Sequence, residues 1–233
     1  MIDGKSVLVL IPARGGSKRL PGKNIKVLGD KPLIAWSIRC AQEIVGIDRI
    51  LVSTDDVQIA NVAMDYGASV PWFRPAELAT DTASSNDVAL HALERCRAVG
   101  ETYDVLVLLQ PTSPFRSSAL VLSAIKRCIA QGGASIVGFI RAQTHPWWCF
   151  SLDESSIARP FVERADTSLR SQDLPAAYEI SGAIYVIGVA QFETNKSFFS
   201  PNPHAIVSGE SMDSIDIDDE GDWFTAERIL LKR

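Results

Sequence analysis

The sequence predicts an α/β domain whose mainly parallel sheet has helices on both faces. Two observations support this prediction. Short, almost wholly apolar runs alternate along the chain with stretches in which apolar residues recur every three or four positions. Such runs are typical of strands buried on both faces, and such stretches are typical of the crossover helices that cover them. At 233 residues, 46% of them hydrophobic, the chain is long enough for one domain with an insertion.

The elements follow in chain order. Apolar runs predict strands at 6–11, 49–54, 104–110, 135–140 and 182–188, and a short strand at 214–218. Helical spacing gives one buried stripe in each of the intervening segments and in a last helix from Glu220 to Leu231. The residues of these stripes are Ile34, Ile38, Ala41 and Val45; Ile59, Val62 and Tyr66; Ala89, Leu93 and Cys96; and Trp223, Ala226 and Leu230.

Residues 141–181 interrupt this alternation. The segment is polar and contains Pro146, Pro160 and Pro175, which disfavour regular helices and central strands. It is therefore predicted to be an insertion within a single domain that spans residues 1–233, and not a further strand and helix unit.

Composition excludes several classes of function. A net charge of −5 and a pI of about 5.3 argue against a general attraction to nucleic acid or to anionic membranes. The four cysteines have neither the spacing nor the flanking histidines of a zinc site, so reduced and mostly buried thiols are expected. The apolar run at 7–11 is far shorter than the ~20 residues of a membrane helix. The protein is expected in the cytoplasm.

Positive charge is concentrated in one loop, "RGGSKRLPGK" at residues 14–23, directly after the first predicted strand. In a doubly wound sheet, ligands bind beyond the carboxyl ends of the strands. Arg14, Lys18 and Lys23 offer cations, Ser17 offers a hydroxyl donor, and the two glycines allow a phosphate to approach the backbone. A triphosphate suits this set. Neither GxGxxG nor GxxxxGK[ST] is present, and a solvated surface turn of the same composition is the alternative.

Read as a whole, "LIPARGGSKRLPGKNIK" (10–26) resembles the signature of the CMP-sialic acid synthetases, which join a nine-carbon α-keto acid sugar to CMP with CTP. Four further blocks resemble that family in the same order and extend the resemblance over nearly the whole chain. They are "RPAELATDTASSNDV" (74–88), "LLQPTSPFR" (108–116), "SGAIYV" (181–186) and "DSIDIDDEGD" (213–222). The resemblance implies a Rossmann-like nucleotidyltransferase domain, with an inserted dimerisation element at 141–181 that reaches toward the active site of a partner in a homodimer.

The resemblance also implies roles for individual residues. Arg14, Ser17, Lys18 and Lys23 would hold the triphosphate and Asn24 would lie near the ribose. Arg74 and Ser85 would contact the cytosine; the alternatives are a turn residue in a surface ion pair for Arg74, and helix capping for Ser84, Ser85 and Asn86. The pocket for the acceptor sugar would be lined by Gln110, Thr112, Ser113 and Arg116, with Arg170 and Gln172 as further candidate sugar contacts or dimer contacts.

Asp216 and Asp218 are two residues apart in a predicted strand, so their carboxylates would project from one face, with Cα atoms roughly 6.6 Å apart. Such a pair suits one or two Mg²⁺ ions. The alternatives are that Asp218 caps the last helix, that Asp216 ends a strand, or that both belong to a solvated acidic turn. The resemblance favours the metal, with the sugar's anomeric hydroxyl attacking the α-phosphorus and pyrophosphate leaving. None of His91, His145 and His204 is a convincing general base, and metal-assisted activation of the hydroxyl is the hypothesis.

The acceptor is left open by the sequence. Sialate, legionaminate and pseudaminate all fit, and Glu179 and Ser181 stand where many sialic acid enzymes carry other residues. A Kdo cytidylyltransferase, which acts on an eight-carbon sugar, is the nearest alternative; "LPGK" (20–23) matches that family, whereas Lys18 and Asn24 do not. A nucleotide-binding sensor without catalysis is an alternative of another class.

Overall fold

The computed structural model describes residues 1–163, 166, 168–199, 201–209 and 215–232. The helices and strands occur in the following order: β1 Val7–Pro12, β2 Val27–Leu28, β3 Lys31–Pro32, α1 Leu33–Gln42, β4 Arg49–Ser53, α2 Val57–Asp65, α3 Ser85–Ala98, β5 Val105–Leu108, α4 Ser118–Ala130, β6 Ile136–Arg141, β7 Phe150–Leu152, β8 Ala158–Pro160, β9 Tyr178–Gly188, α5 Val189–Asn195, β10 His204–Val207 and α6 Glu220–Leu230.

Six strands form the central sheet in the order β10-β6-β9-β5-β1-β4. Strand β1 pairs in parallel with β4 and β5, and β10 pairs in parallel with β6. Strand β9 is antiparallel to both of its neighbours, β5 and β6. The predicted mainly parallel α/β fold is therefore confirmed, with one reversed strand near the middle of the sheet.

The core lies on both faces of this sheet. Along β1, Val7, Val9 and Ile11 face one apolar cluster with α1, α2 and α4, whereas Leu8 and Leu10 face a second cluster with α3 and α5. All five side chains are fully buried. This double burial explains why the strand is a continuous apolar run in the sequence.

A third, smaller cluster lies beneath the basic loop. It joins Leu20 of the loop to Leu28 in β2, to Ile217 ahead of α6, and to Trp223 within α6. Because Ile217 has no exposed surface, this packing fixes the backbone on both sides of it. The last helix and the basic loop are thereby held together.

Two elements differ from their predicted form. Val45 was predicted to continue the buried stripe of α1, but the helix ends at Gln42 and Val45 is 92% exposed. The chain turns there through Gly46, whose φ of +98° suits glycine. The strand predicted at 214–218 is wrong for its described part, since residues 215–218 belong to no strand and Ile217 donates only one backbone hydrogen bond, to the carbonyl of Thr112 at 2.8 Å.

The segment predicted as an insertion, 141–181, carries a small exposed hairpin of β7 and β8. Its last residues already belong to β9, which begins at Tyr178. Of the four cysteines, Cys40, Cys96 and Cys128 are buried as expected and Cys149 is half-buried. No helix in the described ranges is long and apolar enough to cross a bilayer.

Candidate active site

A cavity of about 540 Å³ opens where the parallel strands end. It is lined by the loops that follow β1 and β5, by the start of α3, and by Asp218, which precedes the N-cap of α6. Ten residues predicted for the site lie on its wall: Arg14, Ser17, Lys18, Lys23, Asn24, Arg74, Ser85, Gln110, Thr112 and Asp218. The carboxyl-end rule for parallel strands accounts for this convergence.

The basic loop is fixed at its base and exposed at its tip. Lys23 is almost fully buried, and its ammonium donates to the carbonyl of Ile217 at 2.7 Å and to Asp218 Oδ1 at 3.2 Å. Asn24 donates through Nδ2 to the carbonyl of Arg14 at 3.0 Å and so closes the loop on itself. Lys18, in contrast, has 80% of its side chain exposed.

The glycines of the loop differ in backbone conformation and surroundings. Neither Gly15 nor Gly16 has a positive φ, and the left-handed residue of the loop is Gly22. The N–H of Gly15 donates to Asp55 Oδ1 at 3.1 Å. A Cβ on Gly15 would lie 2.7 Å from Asp56 Oδ2, so this position requires glycine because the loop packs against the end of β4.

Arg74 is buried, which rules out the alternative of a surface ion pair. Its Nη1 donates weakly to the carbonyl of Leu78 at 3.4 Å, and its Nη2 lies 3.8 Å from Asp55 Oδ1. Burial lowers the pKa of Arg74, Asp55 raises it and Arg14 lowers it, with a net decrease. Nε and Nη2 are buried without a hydrogen-bond partner in the described structure, so this guanidinium has donors available to a ligand.

At the start of α3, one serine caps the helix and the next serine lines the cavity. Ser84 is the N-cap, because its hydroxyl accepts from the N–H of Asp87 at 3.1 Å. Ser85 is the first helical residue and lines the cavity, as expected for a residue that does not cap. Asn86 was expected to cap, but its Oδ1 instead accepts from the backbone N–H of Phe198 at 3.3 Å.

Asp218 faces the basic loop and is not a helix cap. The N-cap of α6 is Asp219, whose side chain accepts from the N–H groups of Gly221 and Asp222 at 2.8 and 3.0 Å. Asp218 receives hydrogen bonds from Arg19 at 2.6 Å and from Lys23. Burial raises the pKa of Asp218, but the hydrogen bond from Lys23 and the charges of Lys23 and Arg19 outweigh it and hold that pKa below its usual value.

Asp216 is exposed and does not line the cavity in the described structure. It lies near Gly182 in β9, where a Cβ would be 3.9 Å from Asp216 Oδ2. No group of three or more His, Cys, Asp or Glu in the described residues could hold a metal ion by itself. Mg²⁺ usually takes only one or two carboxylates and completes its shell with phosphate oxygens and water. Asp218, which lines the cavity, could therefore supply a carboxylate to a nucleotide-bound Mg²⁺.

Ser113 and Arg116 were predicted to line the acceptor pocket, but both are buried and neither is on the cavity wall. Arg116 turns inward, donating to Ser37 Oγ at 2.7 Å and to the carbonyl of Gln110. It therefore supports the backbone of Gln110. Ser113 Oγ is buried without a hydrogen-bond partner in the part of the chain that is described.

Arg170 and Gln172 lie at a short 3₁₀ turn in the segment 141–181; both are exposed, and neither lines this cavity. Glu179 is also exposed, whereas Ser181 is buried and its Oγ accepts from the N–H of Ala183 at 3.3 Å.

No histidine lies on the cavity wall as described. His91 is within α3, as predicted, and burial followed by the charge of Arg95 lowers its pKa. His145 belongs to the segment 141–181 and its Nε2 lies 3.1 Å from the carbonyl of Pro175. His204 was expected in a loop, but it begins β10.

Two charged residues of the cavity wall were missed by sequence reasoning. Arg19 lines the cavity beside Asp218, and Asp81 lines it beside Arg14 and Lys18. Arg19 could have been found, because it lies in the same basic run. Asp81 lies within the block 74–88, but its pairing with Arg14 and Lys18 was not predictable, because these cations are more than 60 residues away in the sequence.

A Rossmann-like sheet with five cations and two carboxylates around one cavity is typical of a nucleotide-utilising α/β enzyme. The protein-family model for cytidylyltransferases matches residues 8–144. The chain belongs to the cytidylyltransferase family, whose members are nucleotidyltransferases.

Individual relatives confirm the resemblance found in the sequence. CMP-N,N'-diacetyllegionaminic acid synthase of Legionella pneumophila is 38% identical over 225 residues, covering 96% of each chain. N-acylneuraminate cytidylyltransferase of Escherichia coli is 34% identical over 97% of this chain and 52% of its own length. Pseudaminic acid cytidylyltransferase of Campylobacter jejuni is 34% identical over 86% of this chain and 85% of its own.

Solved structures agree on the fold. A CMP:2-keto-3-deoxy-manno-octonic acid synthetase complexed with CTP superimposes with a TM-score of 0.70 over 98% of this chain and 99% of its own, at 16% sequence identity. A 4-diphosphocytidyl-2C-methyl-D-erythritol synthase from Anaerococcus prevotii gives a TM-score of 0.66 at 15% identity. At such identities the likeness concerns the fold alone.

Gly182 provides a test of how tightly the cavity wall is built. It has a φ of +71°, and an added Cβ would lie 3.1 Å from Gln110 Oε1. Gly182→Ala is expected to lower the free energy of unfolding by about 1 kcal/mol because of its left-handed backbone, and also to lower activity by displacing Gln110. Denaturant unfolding and a turnover assay measure the two effects.

Gly132→Ala is the matched control. Gly132 has a similar φ of +65°, but an added Cβ there would have nothing within 4 Å. It should lose similar stability and retain activity. If both variants keep full activity, the close approach at Gly182 has no bearing on the site.

Proposed function

We propose that this enzyme transfers the cytidylyl group of CTP to a nonulosonic acid and releases pyrophosphate. One observation carries the proposal: Arg14, Lys18 and Lys23 face a single cavity with Arg74 and Ser85. A triphosphate and a base can therefore be bound at once. The relatives named above, which match this chain over most of its length, support the same reaction class.

The part of the cavity assigned to the nucleotide is inferred from the charges and the hydrogen-bond donors on its wall. The loop cations would hold the β- and γ-phosphates, with Ser17 as a hydroxyl donor, and Asn24 would lie near the ribose. Cytosine presents two acceptors, O2 and N3, next to its amino group. The unpartnered Nε and Nη2 of Arg74 form a planar pair of donors suited to such an edge, and Ser85 would add a hydroxyl.

The acceptor half would be formed by Gln110 and Thr112 on the cavity wall. The anomeric hydroxyl of the sugar attacks the α-phosphorus, the bond from that phosphorus to the bridging oxygen breaks, and pyrophosphate leaves. Lys23 and the exposed loop cations stabilise the charge that develops on the leaving group. Catalysis on these residues is chiefly positioning and charge stabilisation.

Mg²⁺ is part of the proposal, with Asp218 and Asp216 as its carboxylate ligands. Asp218 lies on the cavity wall and its lowered pKa keeps it ionised at neutral pH. When bound, Mg²⁺ would neutralise charge at the α-phosphate and increase the acidity of the attacking hydroxyl.

A homodimer in the cytoplasm completes the proposal. The segment 141–181 exposes a series of large apolar side chains, including Phe150, Leu152, Ile157 and Phe161. Exposed apolar surface of this kind marks an interaction site. A second copy of the chain would cover it, and Arg170 and Gln172 would then be available to the partner's cavity.

The reaction is tested by measuring pyrophosphate release with CTP and Mg²⁺. The acceptors are N-acetylneuraminate, legionaminate, pseudaminate and Kdo, and UTP and ATP replace CTP as nucleotide controls. Release is expected with CTP and one of the three nine-carbon acids, and legionaminate is tested first because the Legionella relative is named for it.

Two outcomes would contradict the proposal. Turnover with Kdo alone would transfer the assignment to the eight-carbon sugar. Binding of CTP without turnover of any acceptor would favour the nucleotide sensor.

A further inference from the structure

Asp81 bridges two of the cations of the basic loop. Its Oδ1 lies 2.6 Å from Arg14 Nη2, and its Oδ2 contacts Lys18 Nζ. Asp81 belongs to the loop between the 3₁₀ turn Ala76–Leu78 and α3, and it lines the cavity. Each carboxylate oxygen therefore occupies one of the cations that the proposed function assigns to phosphate.

A carboxylate and a phosphate accept hydrogen bonds from the same donors, here Arg14 and Lys18. Both accept short, charge-assisted hydrogen bonds from guanidinium and ammonium groups. The hydrogen bond from Lys18, followed by that from Arg14, holds the pKa of Asp81 below its usual value, so the carboxylate is charged at neutral pH. Asp81 and a phosphate group cannot both satisfy Arg14 and Lys18 in full.

The ion pair between Asp81 and Lys18 is exposed, so a phosphate group can replace Asp81 in it. Asp81 has 42% of its side chain exposed and Lys18 has 80%. Exposed ion pairs of this kind contribute little to stability, so Asp81 can be displaced without disturbing the fold. Lys23 differs, because it is buried and held by Ile217 and Asp218.

We propose that Asp81 is a competing anion that sets the affinity of the phosphate subsite and promotes the release of pyrophosphate. CTP displaces it on binding, and it returns to Arg14 and Lys18 as pyrophosphate departs. The inference rests on the proposed function, since it requires a phosphate at these cations. It makes Asp81 a residue that weakens substrate binding and allows turnover.

The test is the variant Asp81→Asn, which keeps the shape and removes the charge. Calorimetric titration with inorganic pyrophosphate and with CTP, each with and without Mg²⁺, measures affinity. Two exposed ion pairs are lost, so both ligands should bind about two- to thirtyfold more tightly. KM for CTP should fall, and kcat should fall with it where pyrophosphate release limits turnover.

Asp30→Asn is the matched control. Asp30 is exposed and paired with Lys31 at 2.6 Å, outside the cavity, so the change removes the same charge and should leave both affinities unchanged. Asp81→Glu retains the carboxylate and should bind as the wild type does. Asp81→Ser provides a second neutral variant, and thermal unfolding checks that each protein is folded.

The outcomes separate the two proposals. If Asp81→Asn and Asp81→Ser bind pyrophosphate as the wild type does, or more weakly, Asp81 only shapes the loop and the inference is overturned. If the wild type binds neither pyrophosphate nor CTP, the proposed function itself fails.

Discussion

Replacing Lys23 with methionine is expected to reduce kcat/KM for CTP by about 10²- to 10³-fold, the loss typical of removing one preorganised donor. Lys23 is the loop cation held most firmly, with only 11% of its side chain exposed and two acceptors at 2.7 and 3.2 Å. A buried, fixed ammonium stabilises developing phosphate charge more than a mobile surface cation does. Methionine keeps an unbranched side chain that is one atom shorter, and it removes the charge.

Lys26→Met is the control for this variant. Lys26 is exposed in the same segment, and its ammonium lies 4.4 Å from the ring centroid of Trp223. Its replacement removes the same charge and should cost at most about 1 kcal/mol of stability, with activity retained. Steady-state kinetics and denaturant unfolding compare the two. Equal activities would remove Lys23 from the catalytic assignment.

Asp218→Asn is expected to lower kcat by at least about a hundredfold, since charge stabilisation worth several kcal/mol depends on this carboxylate. Asp218 lines the cavity and is bonded to both Lys23 and Arg19. Asparagine retains the size and one acceptor oxygen but not the charge. The concentration of Mg²⁺ needed for half-maximal activity should rise, and titration with Mg²⁺ measures this.

The adjacent aspartate offers a close control. Asp219→Asn keeps a good N-cap on α6, since asparagine and aspartate cap equally well. Stability and activity should change little, although the same charge is lost one residue away. Full activity of Asp218→Asn at ordinary Mg²⁺ concentrations would contradict the proposal that Asp218 is a Mg²⁺ ligand.

Much of the sheet was predictable because its strands are buried on both faces. The runs that became β1, β4, β5 and β6 are apolar for that reason. The direction of β9 was not predictable, because a strand buried on both faces has the same pattern whichever way it runs. A continuation of the parallel pattern was the expectation, and the antiparallel pairing corrects it.

Most of the cavity wall was also predictable, since it lies on contiguous motifs after β1, ahead of α3 and after β5. The inward turn of Arg116 was not, because Ser37 is distant in the sequence. The assignment of Asp218 as a possible cap was one residue out. The capping box of Asp219 with Asp222 is a local signal that could have found the correct residue.

The reversal of β9 has an evolutionary consequence. Because β9 runs against its neighbours, its first residues lie at the same edge as the cavity, and 36 residues between Arg141 and Tyr178 form a loop closed by two paired strands. The entropy of closing a loop grows slowly, by about 0.6 kcal/mol for each doubling of length. Mutations that lengthen or rewrite this loop therefore leave the sheet almost as stable as before. The length and sequence of this loop can therefore change in evolution while the sheet and the cavity at its edge are retained.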